Sequence, residues 1–363
     1  MATPSRFGII GTGWRAHFFV RIAAALPARF RVAGVVTRSD RRRGEIEEAW
    51  GAPVCSSTSE LARHSPDFVV VAVPREAAPA ATEELVGLGV PVLVETPPAP
   101  DLQGLRDLWA SVGSSGLVQV AEQYMQMPGH AARLEVIRSG ILGDVSSVHV
   151  SSTHLYHAAS IMRSMLGAGF APATVTARSF TGPLADPVSR QGWSGDATAR
   201  PAETTLALID FGGPMGLYDF TDNQWHNPLR TGRLLARGSR GELADDRVVR
   251  LVDARTVVES RLERRQTGLD LNLEGFDLDH ISFEGRPVYR NAFPGARLSD
   301  EEIAIATMLA RTAAWCQGED PGPYPLAEAC QDHLIGLGIE EAVTTRSDVS
   351  VGTERWAGRV TAA

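Results

Sequence analysis

Three small residues near the start of the chain have the types and spacing that hold a dinucleotide. A short apolar run, 7–10, leads into Gly11-x-Gly13-x-x-Ala16, and a helical pattern follows it. Gly11 permits a tight turn, Gly13 has no Cβ to block a pyrophosphate, and Ala16 lets the helix pack closely on the strand. The phosphates would face N–H groups at the positive end of that helix. Interpreted in this way, rather than as an ordinary strand–helix turn, the motif predicts cofactor contacts from Gly11, Thr12, Gly13, Trp14 and Arg15.

The elements around this turn alternate between strands and helices. Residues 68–73 form a nearly continuous apolar run, as expected of a parallel strand that is covered on both faces. The alternation continues to residue 121 and predicts a Rossmann-type, doubly wound parallel sheet, with ligands at the carboxyl ends of its strands. We expect further cofactor contacts from the residues at those ends, which are Thr37, Arg38, Val73, Pro74, Glu95, Thr96 and Glu122.

After residue 128 the pattern changes. Five strand-like runs, at 174–180, 204–211, 215–220, 233–237 and 248–252, are separated by turn-rich loops and not by crossover helices. This pattern predicts an α/β domain with a large, mostly antiparallel sheet that is open on one face. We expect a long loop at 181–201 and a weakly anchored tail after Ser350.

The predicted division is a dinucleotide-binding domain at 1–123 and a second α/β domain at 124–363. Two amphipathic helices near the end, at 300–317 and 326–345, could pack back on the first domain.

Composition excludes several classes of function. The chain has 363 residues and a net charge of −8, which argues against a general nucleic-acid binder because a phosphate backbone demands a basic surface. No apolar run is long enough to span a bilayer, and the polar opening is not expected to be a signal peptide. Three cysteines without C-x-x-C spacing suit a reducing compartment and predict no disulfide framework. We therefore expect a cytoplasmic protein that associates with neither membranes nor nucleic acids.

The end of the second strand bears on the choice between NAD and NADP. An NAD site usually has an acidic residue there to bond the ribose, but this chain has Thr37 and then Arg38. A cation at this position accommodates a 2′-phosphate, so we favour NADP over NAD. Alternatively, Arg38 faces solvent and Asp40 reaches the ribose.

Together these features resemble the glucose–fructose oxidoreductase, inositol dehydrogenase and rhizopine-catabolism (Gfo/Idh/MocA) family. The matching segments are Val71-Ala-Val-Pro74, Glu95-Thr96-Pro97 where the family has Glu-Lys-Pro, Ser139-Gly-Ile-Leu-Gly143, and His157-x-x-Ser160-x-x-Arg163-x-x-Leu166-Gly167. The resemblance implies a Rossmann domain at 1–123 and a substrate-binding and oligomerisation domain at 124–363, whose open sheet often forms homodimers or homotetramers. It also implies hydride transfer between a nicotinamide and a carbon of a sugar or polyol.

Two departures from the family pattern change the expected chemistry. The family's lysine falls on Thr96 and its aspartate on Ser160, whereas its histidine is kept as His157. Threonine cannot act as a base near neutral pH, so we expect Thr96 only to hydrogen-bond. The proton transfer would then fall on His157, whose native pKa suits it.

Several neighbours could assist His157. His154 lies three residues earlier on the same helical face, and Tyr156 and Tyr124 could orient a substrate oxygen. As substrate contacts we predict Arg163, Trp225 and His226, although His154, Trp225 and His226 could equally serve packing alone. His154 and His157, with Glu122 or His226, could also form a metal site, but such spacing alone is weak and we predict no metal.

Three functions are consistent with this pattern. The first is an NAD(P)-dependent oxidoreductase acting on a sugar, polyol or related hydroxyl or keto compound. The second is a lyase or glycosidase-type reaction by transient oxidation, with no net redox change. The third is a non-catalytic nucleotide-binding protein. We favour the first because polar and aromatic residues remain dense around the predicted cleft.

Overall fold

Two β-sheets organise the chain. The structure, a computed structural model, describes residues 3–37, 43–189, 191–268 and 275–359. A parallel sheet occupies the first third of the chain and a larger mixed sheet the rest. The predicted fold class is therefore confirmed, whereas the division at residue 123 stays a prediction.

The parallel sheet is flanked by helices. Its strands are β1 (Ser5–Ile10), β2 (Phe30–Val36), β3 (Val54–Cys55), β4 (Phe68–Val71), β5 (Val92–Val94) and β6 (Val118–Val120). Its helices are α1 (Trp14–Ala25), α2 (Arg43–Trp50), α3 (Thr58–Arg63), α4 (Ala78–Gly87) and α5 (Leu102–Val112). The strand order is β3-β2-β1-β4-β5-β6. Strands β2 and β3 are added on one side of β1, and β4 to β6 on the other, so the order of strands reverses between β1 and β4. Sheets of this kind bind ligands at that reversal, outside the carboxyl ends of the strands.

Burial explains why these segments form this sheet. All four residues of β4 are buried, as a parallel strand covered by helices on both faces requires. Helices α3 and α5 each begin at a side-chain cap: Ser57 accepts a hydrogen bond from the Glu60 amide, and Asp101 from the Gly104 amide.

The second half of the chain builds the larger sheet. Its strands are β7 (Val145–Ser151), β8 (Ala173–Ala185), β9 (Val188–Ser189), β10 (Gly192–Trp193), β11 (Ala199–Asp210), β12 (Met215–Thr221), β13 (Arg233–Gly238), β14 (Gly241–Ala244), β15 (Arg247–Asp253), β16 (Thr256–Thr267), β17 (Asp277–Phe283), β18 (Arg286–Arg290) and β19 (Val349–Val351). Its helices are α6 (Pro128–Arg138), α7 (Leu155–Leu166), α8 (Asp300–Cys316) and α9 (Leu326–Thr345), with 3₁₀ helices at Tyr124–Gln126 and Arg355–Arg359.

Eleven of these strands pair in the order β18-β17-β16-β15-β14-β13-β7-β12-β11-β8-β19, and β9 pairs with β10 separately. Neighbouring strands run antiparallel except β7 and β12, which are parallel. Helices α7 and α9 pack on one face. Along β11, Ala207 and Ile209 are buried on that face, whereas Leu206 and Leu208 are nearly half exposed on the other. The alternation is that of a sheet with one open face.

The prediction of a long loop at 181–201 is wrong for most of that range. Strands β8 and β11 continue through most of it as a two-stranded ribbon, with Ala185 opposite Ala199. Pro183 lies directly opposite Pro201 in this ribbon. Each strand there has a free edge, where a missing backbone N–H removes no ladder hydrogen bond. Prolines and glycines that predicted a loop are therefore compatible with paired strands.

The tail is a second correction. Residues 349–351 add strand β19 to the edge of the large sheet, and Trp356 is fully buried. The Trp356 indole Nε1 donates a hydrogen bond to Gln331 Oε1 at 2.9 Å. The tail as far as residue 359 is therefore anchored by a strand and a buried aromatic side chain.

The C-terminal helices pack against the first domain. Helix α8 contacts α1 and β4, and α9 contacts α5 and β6. A capping box formed by Ser299 and Glu302 starts α8 at Asp300. The first turn of α8 is thereby held beside the glycine turn of the parallel sheet.

Candidate active site

A cavity of about 1270 Å³ lies between the carboxyl ends of the parallel strands and the residues around the start of α7. One end is formed mainly by the glycine turn, Thr37 and the residues that follow β4. The other end is formed mainly by side chains from the second half of the chain, with Glu95 and Thr96 between the two. We call these the cradle end and the side-chain end.

The cradle end has the shape that a dinucleotide requires. Gly11 has a φ of +110°, and a Cβ there would lie 2.2 Å from the Ala72 carbonyl oxygen. Gly13, in contrast, faces open space, because an added Cβ would meet no protein atom within 4 Å. Gly13 is also the N-cap of α1, and no described side chain caps that helix end. The residues present therefore fit a pyrophosphate at the positive end of α1.

Arg15 joins the two ends of the cavity. Its Nε donates to Glu95 Oε1 at 2.9 Å, and its Nη1 donates to Glu301 Oε1 at 2.7 Å. Glu95 follows β5, whereas Glu301 lies in the first turn of α8. One guanidinium is thus shared by two carboxylates from distant parts of the sequence.

At the side-chain end, His157 forms a buried pair with Glu122. The Nδ1 atom of His157 lies 2.5 Å from Glu122 Oε2, and the other carboxyl oxygen accepts a hydrogen bond from the Tyr124 amide at 3.0 Å. Glu122 is only 2% exposed and His157 only 6%. Because Nδ1 is engaged with Glu122, Nε2 is the nitrogen left for the cavity that the ring lines.

Burial opposes charge on both members of this pair. It raises the pKa of the Glu122 carboxyl to about 8. It also lowers the pKa of the His157 imidazole, an effect that Arg15 reinforces. The two groups titrate as a unit. Above the pair's pKa, the carboxylate accepts the Nδ1 proton and Nε2 offers a lone pair; below it, one more proton is bound and Nε2 becomes a donor.

Tyr156 and His154 lie beside this pair. The Tyr156 hydroxyl is 3.4 Å from His154 Nε2. Burial raises the pKa of Tyr156, as do Glu122 and Glu95, whereas a hydrogen bond with Thr96 opposes the shift. Burial lowers the pKa of His154 to about 3. Tyr156 is therefore a protonated donor and His154 a neutral imidazole.

Backbone geometry aims these side chains. Leu155, between His154 and Tyr156, has a φ of +38°, which is uncommon for a residue with a Cβ. Its amide donates to the Tyr218 hydroxyl at 3.2 Å. Strained conformations of this kind cluster at functional sites.

An aromatic wall completes this end. Trp225 stacks on Phe220 with ring centroids 5.1 Å apart and rings 13° from parallel, and it also contacts His154. The Tyr124 ring lies 4.5 Å from that of His157. Trp225 is 44% exposed, so part of its indole is available to a ligand.

The sequence of the first domain identifies the family. Residues 5–123 match the GFO_IDH_MocA family, an oxidoreductase family with an NAD-binding Rossmann fold. Within these residues the chain has the NAD-binding domain of the Gfo/Idh/MocA oxidoreductases. A comparison with curated proteins gave no match.

Solved structures extend the likeness in fold to the whole chain. They include a levoglucosan dehydrogenase in complex with NADH and levoglucosan, with a TM-score of 0.68, 15% identity, and 96% of this chain and 100% of that one covered. A myo-inositol dehydrogenase from Corynebacterium glutamicum has a TM-score of 0.66, 17% identity, and coverages of 97% and 100%. An oxidoreductase from Agrobacterium radiobacter, in complex with NAD⁺, L-tartaric acid and magnesium, has a TM-score of 0.66, 15% identity, and coverages of 96% and 99%. At these identities, the likeness concerns the fold.

Most of the residues predicted for the site line this one cavity. They are Gly11, Thr12, Gly13, Trp14, Arg15, Thr37, Val73, Pro74, Glu95, Thr96, Tyr124, His154, Tyr156, His157, Trp225 and His226. Arg38 lies outside the described residues. The Thr96–Pro97 peptide bond is cis. The chain contains no lysine at any position, so no other lysine replaces the one missing at Thr96.

Two residues predicted for the site lie outside the cavity lining. Arg163 does not line the cavity; it pairs with Asp332 at 2.5 Å and Glu328 at 2.7 Å and is 3% exposed. It lies on the face of α7 that packs on α9, where a buried cation needs such partners. Glu122, predicted as a cofactor contact, does not line the cavity either, because it lies behind the His157 ring.

Glu301 is a residue of the site that sequence reasoning missed. The Ser299-x-x-Glu302 capping pattern indicates where α8 begins. No local signal indicates that its first turn faces Arg15, which is 286 residues away.

Two features are absent from the described residues. No group of three or more His, Cys, Asp and Glu side chains is arranged to hold a metal ion. Within the same ranges, no helix combines the length and the apolar character needed to cross a membrane.

Proposed function

We propose that the protein is an NAD(P)-dependent dehydrogenase of a sugar or polyol, with His157 as the group that transfers the hydroxyl proton. Two structures with this fold are dehydrogenases named for levoglucosan and myo-inositol, which supports this class of substrate. The observation that carries the proposal is the 2.5 Å contact between His157 Nδ1 and Glu122 Oε2 inside the cavity that begins at the glycine turn.

The glycine turn and the end of β2 would hold the coenzyme. Gly11 and Gly13 leave room for the pyrophosphate, and Thr37 lies where the adenosine ribose is bound in such folds. When bound, the nicotinamide supplies or accepts the hydride. We favour NADP because the end of β2 carries Arg38 and no acidic residue beside Thr37.

The His157–Glu122 pair would accept the proton as an alcohol is oxidised. In the ionised pair, Glu122 accepts the Nδ1 proton and so orients the ring with Nε2 toward the cavity. Nε2 takes the hydroxyl proton, and Glu122 stabilises the charge that develops on the ring. In the reverse direction, Nε2 returns that proton to the carbonyl oxygen. The task of the missing lysine is thereby transferred to the His157–Glu122 pair.

The remaining side chains would position the substrate. Tyr156 stays protonated and can donate a hydrogen bond to the reacting oxygen. The exposed part of Trp225 offers a flat apolar surface for a sugar ring, and His226 lies next to it in the cavity wall. Thr96 contributes a hydrogen bond to Tyr156 and no charge.

The test is a screen of sugars and polyols with both coenzymes, followed by a histidine variant. We expect one of the compounds to reduce NADP⁺ faster than NAD⁺, and His157→Ala to lose at least about a hundredfold in rate. His149→Ala is the matched control, because His149 pairs with Asp219 on the large sheet and does not line the cavity.

Three results would contradict parts of this proposal. An unchanged rate in His157→Ala would remove this residue from the mechanism, and faster reduction of NAD⁺ would overturn the coenzyme preference. Consumption of a glycoside with a retained coenzyme and no accumulated NADH or NADPH would favour the lyase-type reaction instead.

A further inference from the structure

The charged groups where the two ends of the cavity meet are unequal in number. Arg15 is shared between Glu95 and Glu301, so two carboxylates are balanced by one guanidinium. Only one oxygen of Glu301 is used in this contact, and its side chain is 34% exposed. This group of three, which we call the acidic triplet, has a formal charge of −1.

The triplet acts at the position where the proposed chemistry takes place. Arg15, Glu95 and Glu301 line the same cavity as His157, Tyr124 and Tyr156. The triplet is therefore close enough to a bound substrate to attract or repel it.

The rest of the described cavity wall offers an anion little compensation. Arg15 is the only lysine or arginine among the described lining residues, and the sequence has no lysine to contribute. His154 and His157 are neutral because they are buried, and His226 is the remaining imidazole. A bound dinucleotide would add its own phosphate charges to the same cavity. A phosphorylated or carboxylated substrate would thus enter a negative site without a cation to pair with.

We propose that the acidic triplet is a charge filter, which admits polyhydroxy compounds that are uncharged or carry an ammonium group and excludes their phosphorylated or carboxylated counterparts. This inference rests on the proposed function and deepens it by specifying the charge of the substrate. A protonated amine could approach the second oxygen of Glu301. An anion would meet an Arg15 whose Nε and Nη1 are already engaged by carboxylates and whose Nη2 is buried.

The first arm of the test compares three forms of one ring. D-glucose, D-glucosamine and D-glucuronate are used as competitive inhibitors of whichever neutral polyol the enzyme oxidises. We expect glucuronate to bind at least about tenfold more weakly than glucosamine at low salt, with a smaller difference at high salt as screening increases. Equal or tighter binding of glucuronate would overturn the proposal.

The second arm uses a matched pair of variants. Glu301→Gln keeps a hydrogen bond to Arg15 but removes one negative charge. This variant should reduce the preference for glucosamine over glucuronate severalfold. Glu302→Gln is the control, because Glu302 pairs with Arg21 at the surface and glutamine also completes the capping box. A preference that is unchanged in Glu301→Gln, or changed equally in both variants, would contradict the filter.

The third arm does not depend on catalysis. Iodide and caesium ions quench exposed tryptophans, and the contribution of Trp225 is obtained by difference from Trp225→Phe. We expect caesium to quench the fluorescence of Trp225 better than iodide does. In Glu301→Gln, the difference in quenching between the two ions should be smaller. If this holds while no polyol is oxidised, the proposed function fails and the filter stands. If a polyol is oxidised but iodide quenches Trp225 better, the filter fails alone.

Discussion

The two ends of the cavity are built in different ways. The cradle end depends on backbone conformation and on the lack of side chains at Gly11 and Gly13, which are neighbours in sequence. The side-chain end depends on groups that come together from distant segments: Glu122 and His157 are 35 residues apart, and Arg15 and Glu301 are 286 apart. A site formed by the backbone is therefore determined by a few nearby residues. A site formed by side chains exists only after the two halves of the chain have packed together.

The ends also differ in how they treat charge. The cradle would meet an anion with backbone dipoles, which do not titrate. The side-chain end buries titratable groups, so that burial raises the pKa of Glu122 to about 8 and lowers that of His154 to about 3. We expect perturbations of the first end to change binding and stability, and perturbations of the second to change pH dependence.

The largest effect should come from Gly11→Ala. Its backbone φ of +110° disfavours an L side chain, and the new Cβ would clash with the Ala72 carbonyl oxygen. We expect the free energy of unfolding to fall by roughly 2–5 kcal/mol. Thermal and chemical denaturation followed by circular dichroism would measure this loss.

Gly13→Ala is the matched control. Gly13 has a φ of −76° and open space around the new methyl group, so the fold should tolerate alanine. Dinucleotide affinity should nevertheless fall about tenfold or more, because the methyl group would occupy the place of the pyrophosphate. A variant that binds NADP⁺ normally by calorimetry would show that the cradle does not hold the phosphates here.

The cradle end and much of the fold could be predicted because their signals are local. The glycine turn, the alternation of strands and helices, and helices α5 and α9 follow from spacing and periodicity within short windows. Strand β16 was missed because Leu262 is the only buried residue among its 12, so its sequence lacks the alternation of a half-buried strand. The ribbon formed by β8 and β11 was missed because its prolines suit a free edge as well as a loop.

The side-chain end could be predicted only in part. His157 was found through the family pattern, but its partner Glu122 was expected to contact the coenzyme, since it follows a parallel strand. Nothing within the α7 sequence indicates that Arg163 turns away from the cavity toward Asp332. Such assignments depend on which face of a helix meets its neighbour, which is set by tertiary packing.

The next largest effect should come from Glu122→Gln. Oxidation of an alcohol needs the ionised pair, so the wild-type rate should rise with pH through about 8, and carbonyl reduction should fall over the same range. Glutamine can still hydrogen-bond to Nδ1 but cannot take up a proton. We expect a loss of about tenfold to a hundredfold at high pH and no break near pH 8. The pH profile of kcat/KM measures this effect, and a break that persists in the variant would show that Glu122 only positions the ring.

The smallest effect should come from Thr96→Lys, which restores the family's lysine. If the His157–Glu122 pair already transfers the proton, an added ammonium has no proton to move, and the native rate should stay within about threefold or fall. Thr96→Met is the control, since it adds similar length without charge next to Tyr156. Loss in both variants would reflect crowding of that phenol, and loss in Thr96→Lys alone would reflect the cost of a cation there. A clear gain in kcat for Thr96→Lys but not for Thr96→Met would mean that the side-chain end lacks a working base. The cradle end would then be the part of the cavity that keeps its function, which is to bind the coenzyme.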